Sequence, residues 1–256
     1  MPYDPTGFAR LRNRVLFVSA LAWACLFARA IFASGGDSCA VTTAPPHSSQ
    51  PAATLFKFDL AAFMAIDWLL MVVAMMAPTL IWSLWHVRVR SFARRRFRSS
   101  ALFVFGYLGT WMVAGALFFS AGRGLTILPA QSFWPAFILA MIALAWQTSP
   151  AKQRCLNRCH AHGSLAAFGT SADLDVLRFG VSHGAWCVGS CWALMLFPML
   201  LPRGQVLAMA TVSLLIFTER LERPASPGWR FHGLGAAKRI VFAQSRSYSR
   251  SRAEVA

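Results

Sequence analysis

His183-Gly184-Ala185-Trp186-Cys187-Val188-Gly189-Ser190-Cys191-Trp192-Ala193-Leu194-Met195 carries soft, metal-binding side chains along what reads as a membrane helix. His183, Cys187 and Cys191 stand at i, i+4 and i+8, and side chains four apart stack on nearly one helix face. Met195 and Met199 extend the row. It drifts by about 40° per four-residue step, so the first three share a face while Met199 turns away. Imidazole, thiolate and thioether are donors suited to Cu(I) or Zn(II). The same Gly, Ala, Ser and Cys also serve close packing between membrane helices, so a second cluster has to decide between the readings.

The surrounding composition places this helix in a bilayer. Of 256 residues, 57% are hydrophobic and only 13% charged, with a mean hydropathy of +0.50. That excludes an ordinary soluble domain and predicts an all-α, polytopic membrane helix bundle. The net charge of +16 answers first to membrane topology, and no nucleic acid partner is expected.

Outward from the central helix, six spans are expected. Arg10, Arg12 and Arg14 precede an apolar run from Val15 to Phe32. Small residues around Arg29 resemble a cleavage site, but the run is long enough for an uncleaved span. Residues 1–33 form this N-terminal helix, and 34–59 an extracytoplasmic loop containing Cys39. Leu60 to Trp85 is the second span, with Asp67 among several methionines and Pro78 expected to kink it and free a backbone carbonyl. Ala101 to Ala121, with Gly106, Gly109 and Gly115, is the third, and Leu128 to Trp146 the fourth. Gly184 to Leu201 and Gln205 to Leu221 complete the set. With this count 21 of the 25 Lys and Arg fall on one side, which by the positive-inside rule puts both termini in the cytoplasm. Six Arg between His86 and Ser100 and the basic tail 223–256 face anionic lipid headgroups.

The second cluster lies in the loop 148–182, on the cytoplasmic side. Ser149-Pro150 reads as an N-cap followed by proline at the first helical position, with Gly163 as a stop. The short helix between them carries Cys155 and Cys159 on one face, followed by His160 and His162. Lys152, Arg154 and Arg158 flank the thiols and are expected to favour the thiolate. Cys187 and Cys191 lie only about 6 and 12 Å deep from the same side. Both thiol pairs can therefore meet at one inner mouth. Glu219, at the inner end of the last span, either pairs locally with Arg220 or caps that mouth.

The ordered set Met75-Met76-Ala77-Pro78, Trp146-Gln147-x-x-Pro150-x-Lys152-x-x-Cys155-Leu156-x-x-Cys159, Gly180-x-x-His183-Gly184-x-x-Cys187-x-Gly189-x-Cys191-Trp192-Ala193-Leu194-Met195 and Glu219 resembles a bacterial family described as predicted metal-binding integral membrane proteins, long a domain of unknown function. The likeness covers residues 60–222. It implies a multi-span bacterial inner-membrane protein with a metal site, sometimes described as copper-handling. Where relatives carry Cys-Cys-Trp this chain has Ser190-Cys191-Trp192, and His160-Ala161-His162 stands where they carry Arg-x-Pro. The first change removes a potential thiolate and the second adds imidazoles.

The expected function is a metallochaperone or metal-insertion protein. Cys155, Cys159, His183, Cys187 and Cys191 would hold copper as Cu(I), or zinc, for a metalloprotein client, with His160, His162, Met195 and Glu219 as further candidates. The competing readings are a thiol/quinone or haem-linked redox enzyme and a structural subunit. Catalytic cysteines of the redox enzyme would be expected on the oxidising side, opposite to where the charge pattern puts these four.

Overall fold

A computed structural model describes residues 4–35, 50–122, 133–161, 163, 165–166, 168–201 and 204–229, and among them the chain is all α. It divides into two compact units, Met1–Thr126 with Leu165–Val181 and Ile127–Ser164 with Ser182–Ala256.

In the first unit α1 (Pro5–Gly35) packs against α2 (Gln50–Met76). α1 begins ten residues before the expected apolar run, because Asp4 caps it: the Asp4 carboxylate accepts the Gly7 N–H at 2.9 Å, with Pro5 leading the helix. α2 likewise reaches back into the expected loop, and Cys39 lies outside the described residues. Asp67 of α2 pairs with Arg29 of α1. Each charge thereby gains the partner that an apolar setting demands. Met71, Met75 and Met76 are buried, as is Trp68 of the same helix, and serve packing.

The proline interruption falls where expected. α2 ends at Met76, a 3-10 turn covers Ala77–Leu80, and α3 (Ile81–Arg90) continues the rod. Pro78 has no N–H to give to Ala74, four residues earlier. The vacated carbonyl is taken by α1, whose buried Ser19 hydroxyl donates to Ala74 O at 2.7 Å. Replacing Ser19 by Ala strands a buried acceptor and is expected to cost about 1–3 kcal/mol, measured as a lowered unfolding midpoint in detergent. Ser19→Thr should retain most of it. An unchanged midpoint in the Ala variant would mean the carbonyl finds another donor.

α4 (Arg96–Gly122) follows a 3-10 turn at Ala93–Arg95, and α7 (Gly169–Leu196) lies against it with its first part. Gly106 allows this approach: a Cβ there would stand 2.8 Å from Leu177 O. Gly180 similarly presses on the Phe103 backbone, and Gly115 on the Trp68 ring. Gly109 has nothing near it and takes no part in packing. The fifth span was expected to start at Gly184, but α7 is one continuous helix from Gly169.

The second unit contains α5 (Trp134–Thr148), α6 (Pro150–His160), the rest of α7 with a 3-10 turn at Phe197–Leu200, and α8 (Gln205–Arg220). Among the described residues four stretches are long and apolar enough to cross a membrane: Pro5–Ile31, Ala62–Arg90, Ala93–Ala121 and Gly169–Leu200. α5 and α8, with 15 and 16 residues, reach only about 22 and 24 Å, short of a hydrocarbon core of about 30 Å. Residues 123–132, where the fourth span was expected to begin, lie outside the described set.

Candidate metal centre

The centre is built wholly within the second unit. α6 starts as its sequence dictates: Ser149 Oγ accepts the Lys152 N–H at 3.2 Å and Pro150 occupies the first turn. It stops at His160, before Gly163, where Ala161 turns extended. Cys159 is buried and Cys155 half-buried. On α7 the buried positions include His183, Cys187, Ser190, Cys191 and Met195, while Ala185 and Trp186 are exposed. The four-residue row thus faces inward, as helix geometry requires.

Glycine 189 brings the two helices together. A Cβ there would stand 2.9 Å from the Cys155 sulfur, so only glycine lets that thiol rest on the α7 backbone between Cys187 and Cys191. On α5, Trp146 donates its indole N–H to Gly189 O at 3.0 Å and packs edge-on against Trp192. Cys191 lies in hydrogen-bond contact with Cys187, donating to its carbonyl at 3.0 Å and reaching its thiol.

The end of α8 closes the centre with a cation. The Arg220 guanidinium donates to Cys187 Sγ at 3.1 Å and Ser190 Oγ at 3.4 Å, and shares a hydrogen bond with Cys159. One thiol from each motif therefore meets the same group. The sequence had pointed to Lys152, Arg154 and Arg158 as the cations at the thiols, and the structure corrects this. Arg158 lies over the Trp186 ring at 5.7 Å, Arg154 is exposed, and Lys152 faces a carboxylate.

That carboxylate is Glu219. Lys152 is wholly buried and Glu219 nearly so, with Nζ to Oε1 at 2.7 Å. Gln147 of α5 joins both, accepting from Lys152 and donating to Glu219. Glu219 thus pairs with α6 rather than with its neighbour Arg220. Burial pulls the Lys152 ammonium down from its usual range, with Glu219 opposing.

The α6 thiols are also not activated as expected. Burial pushes Cys155 up, and burial pushes Cys159 up to about 12, with Arg220 only partly opposing. Relative to an ordinary thiol, Cys159 therefore holds far less thiolate at pH 8. Its neutral thiol stabilises the fold fully below about pH 9, and that contribution is lost as pH rises through about 12. Alkylation of Cys159 in the metal-free protein should be correspondingly slow at pH 8 and accelerate toward pH 12, followed by peptide mass spectrometry. An ordinary thiol rate at pH 8 would contradict the buried placement.

The remaining candidates are less central. His183 is buried one turn before Cys187. The ring nitrogens of His160 stand 2.9 and 3.1 Å from Leu156 O and Arg220 O, so ligation by it would first break a backbone contact. His162 lies outside the described residues. Met195 is buried one turn beyond Cys191. Among the described residues no three His, Cys, Asp or Glu side chains form a ready-made cage. The donor set that does converge, two unbridged thiols on one guanidinium with two more beside them, fits a soft ion content with few sulfurs. Arg220 was not identified from the sequence as part of the centre. Its one signal was a permanent charge directly after Glu219 at the end of an apolar helix.

A family model described as PpoB2, copper chaperone, matches residues 65–239. The match takes in α3 to α8 and every residue of the centre. Comparison with curated proteins and comparison with solved structures each gave no match.

Proposed function

Because the chain belongs to the PpoB2 copper chaperone family, we propose that its copper travels as Cu(I) on the thiols of Cys159 and Cys187, with Cys155 and Cys191 as neighbouring acceptors. Copper is the cargo, received and passed to a copper-dependent client protein. The observation that carries this reading is the approach of one thiol from each motif to the same guanidinium. Monovalent, soft Cu(I) is satisfied by few sulfur donors, and a two-sulfur site lets an incoming thiol join before another leaves. His183 and Met195 extend the row as further soft donors. Glu219 supports the centre through Lys152 and does not ligate.

The chain is a multi-pass protein of the bacterial inner membrane in this reading, with six spans and both termini cytoplasmic. The four long apolar helices and the one-sided distribution of Lys and Arg support it. The loading mouth then faces the reducing cytoplasm, where thiols stay available. α5 and α8 would cross with help from flanking residues or a locally thinned bilayer.

The test is anaerobic purification of the full chain, with metal measured by mass spectrometry and spin resonance. The expected result is about one copper per chain without a paramagnetic signal, transferable to a chelator. Zinc alone, or no metal above background, would overturn the reading. Reporter fusions after residues 45 and 165 test the topology, and an exported 165 site would overturn the cytoplasmic loading mouth.

A further inference from the structure

Arg220 holds an anomalous position for a charged side chain. Its guanidinium reaches Cys187, Ser190 and Cys159, its Nε is buried without a hydrogen-bond partner, and none of the ion pairs among the described residues includes it. The adjacent carboxylate, Glu219, is committed to Lys152. A permanently charged, half-buried group is thus held against thiols, with no carboxylate paired to it among the described residues. Removing an ion from water without a counter-charge is unfavourable. The arrangement therefore awaits an anion.

The loaded site supplies one. Two thiols and one copper ion react as Cu(I) plus two RSH giving [Cu(SR)2]⁻ plus two H⁺, with no change of oxidation state. The product carries one negative charge, and the protons leave to solvent. Resting on the Cu(I) reading above, we propose that Arg220 is the built-in counter-cation of the bis-thiolate and thereby sets the preference for Cu(I) over Zn(II). With Arg220 the Cu(I) site sums to zero. A zinc ion on the same two thiolates forms a neutral unit, so Arg220 stays unbalanced and repels the divalent ion. Zinc on all four thiolates leaves an excess negative charge that one arginine does not cancel. Lys152 is already paired with Glu219 and is not the free cation of the centre.

The experiment uses the full chain in detergent, comparing wild type with Arg220→Gln, which keeps donors and loses the charge, and Arg220→Lys, which keeps the charge. Cu(I) affinity is read anaerobically by competition with a colorimetric Cu(I) chelator, Zn(II) affinity with a zinc chelator, and metal-free stability by thermal unfolding. Arg220→Gln should lose about 10- to 100-fold in Cu(I) affinity, the range found for groups that support metal ligands. Its Zn(II) affinity should be equal or higher, and its metal-free form at least as stable as wild type. Arg220→Lys should stay within a few-fold of wild type for Cu(I). The counter-cation role is overturned if Arg220→Gln keeps wild-type Cu(I) affinity, if both metals weaken together, or if the metal-free variant is destabilised, which would mark a purely structural arginine. A wild type that takes up no Cu(I) overturns the copper reading itself, and this role with it.

Discussion

Replacing Cys159 and Cys187 together by serine is expected to leave a folded chain that no longer retains Cu(I). The hydroxyl fills nearly the volume of the thiol and can still accept from Arg220, so the packing of α6 on α7 is kept. Only the soft, ionisable sulfur is lost. Oxygen is a poor donor for Cu(I), and loss of a direct ligand should exceed the about 10- to 100-fold effect of losing a supporting group. Each single substitution should therefore weaken Cu(I) binding by at least about 100-fold in anaerobic chelator competition. Cys191→Ser should do less, because its thiol is engaged by the Cys187 carbonyl. Cys25, exposed on α1 of the other unit, supplies the control, and Cys25→Ser should bind as wild type. Stoichiometric, tightly held copper in the Cys159/Cys187 double variant would move the cargo to other residues.

The largest effect on stability is expected from Glu219→Leu. It leaves the Lys152 ammonium fully buried with only Gln147 beside it, and removing one partner of a buried ion pair costs about 3–5 kcal/mol. Replacing both partners, Lys152→Met with Glu219→Leu, should recover most of that, because an apolar pair avoids the desolvation that the charges incur. Denaturation in detergent measures both. The single variant should also loosen α6, and faster alkylation of Cys159 would report it independently. A loss under about 1 kcal/mol in the single variant would mean that water reaches Lys152, so that the pair is not buried as described.

These two results bear on different properties of one small region. The Lys152–Glu219–Gln147 knot joins α5, α6 and α8, while the thiols and Arg220 form the face proposed to meet the ion. Trp146 and Gly189 join α5 to α7 at the same level, with Cys155 seated on that glycine. The motif residues that surround the cysteines therefore have separate structural tasks. The donors themselves need only be soft and close.

Local geometry was legible in the sequence. The four-residue row on α7 points inward because the helix repeat makes it do so, and α6 begins at Ser149-Pro150 because that pair satisfies a free N–H and suits the first turn. Four of the six expected apolar runs marked helices long and apolar enough to cross a membrane, and Pro78 marked the interruption. Boundaries were less legible: α1, α2 and α7 all run beyond their apolar stretches, since a polar residue can continue a helix that hydropathy no longer signals. What the tertiary structure decided was pairing. Ser19 takes the carbonyl that Pro78 abandons, 55 residues away in the chain. Glu219 and Arg220 are neighbours in sequence but point about 100° apart around their helix, so one meets Lys152 and the other the thiols. Helix periodicity acts within a few residues and can be read from them; the choice of partner for a buried charge depends on which other helix occupies the facing space.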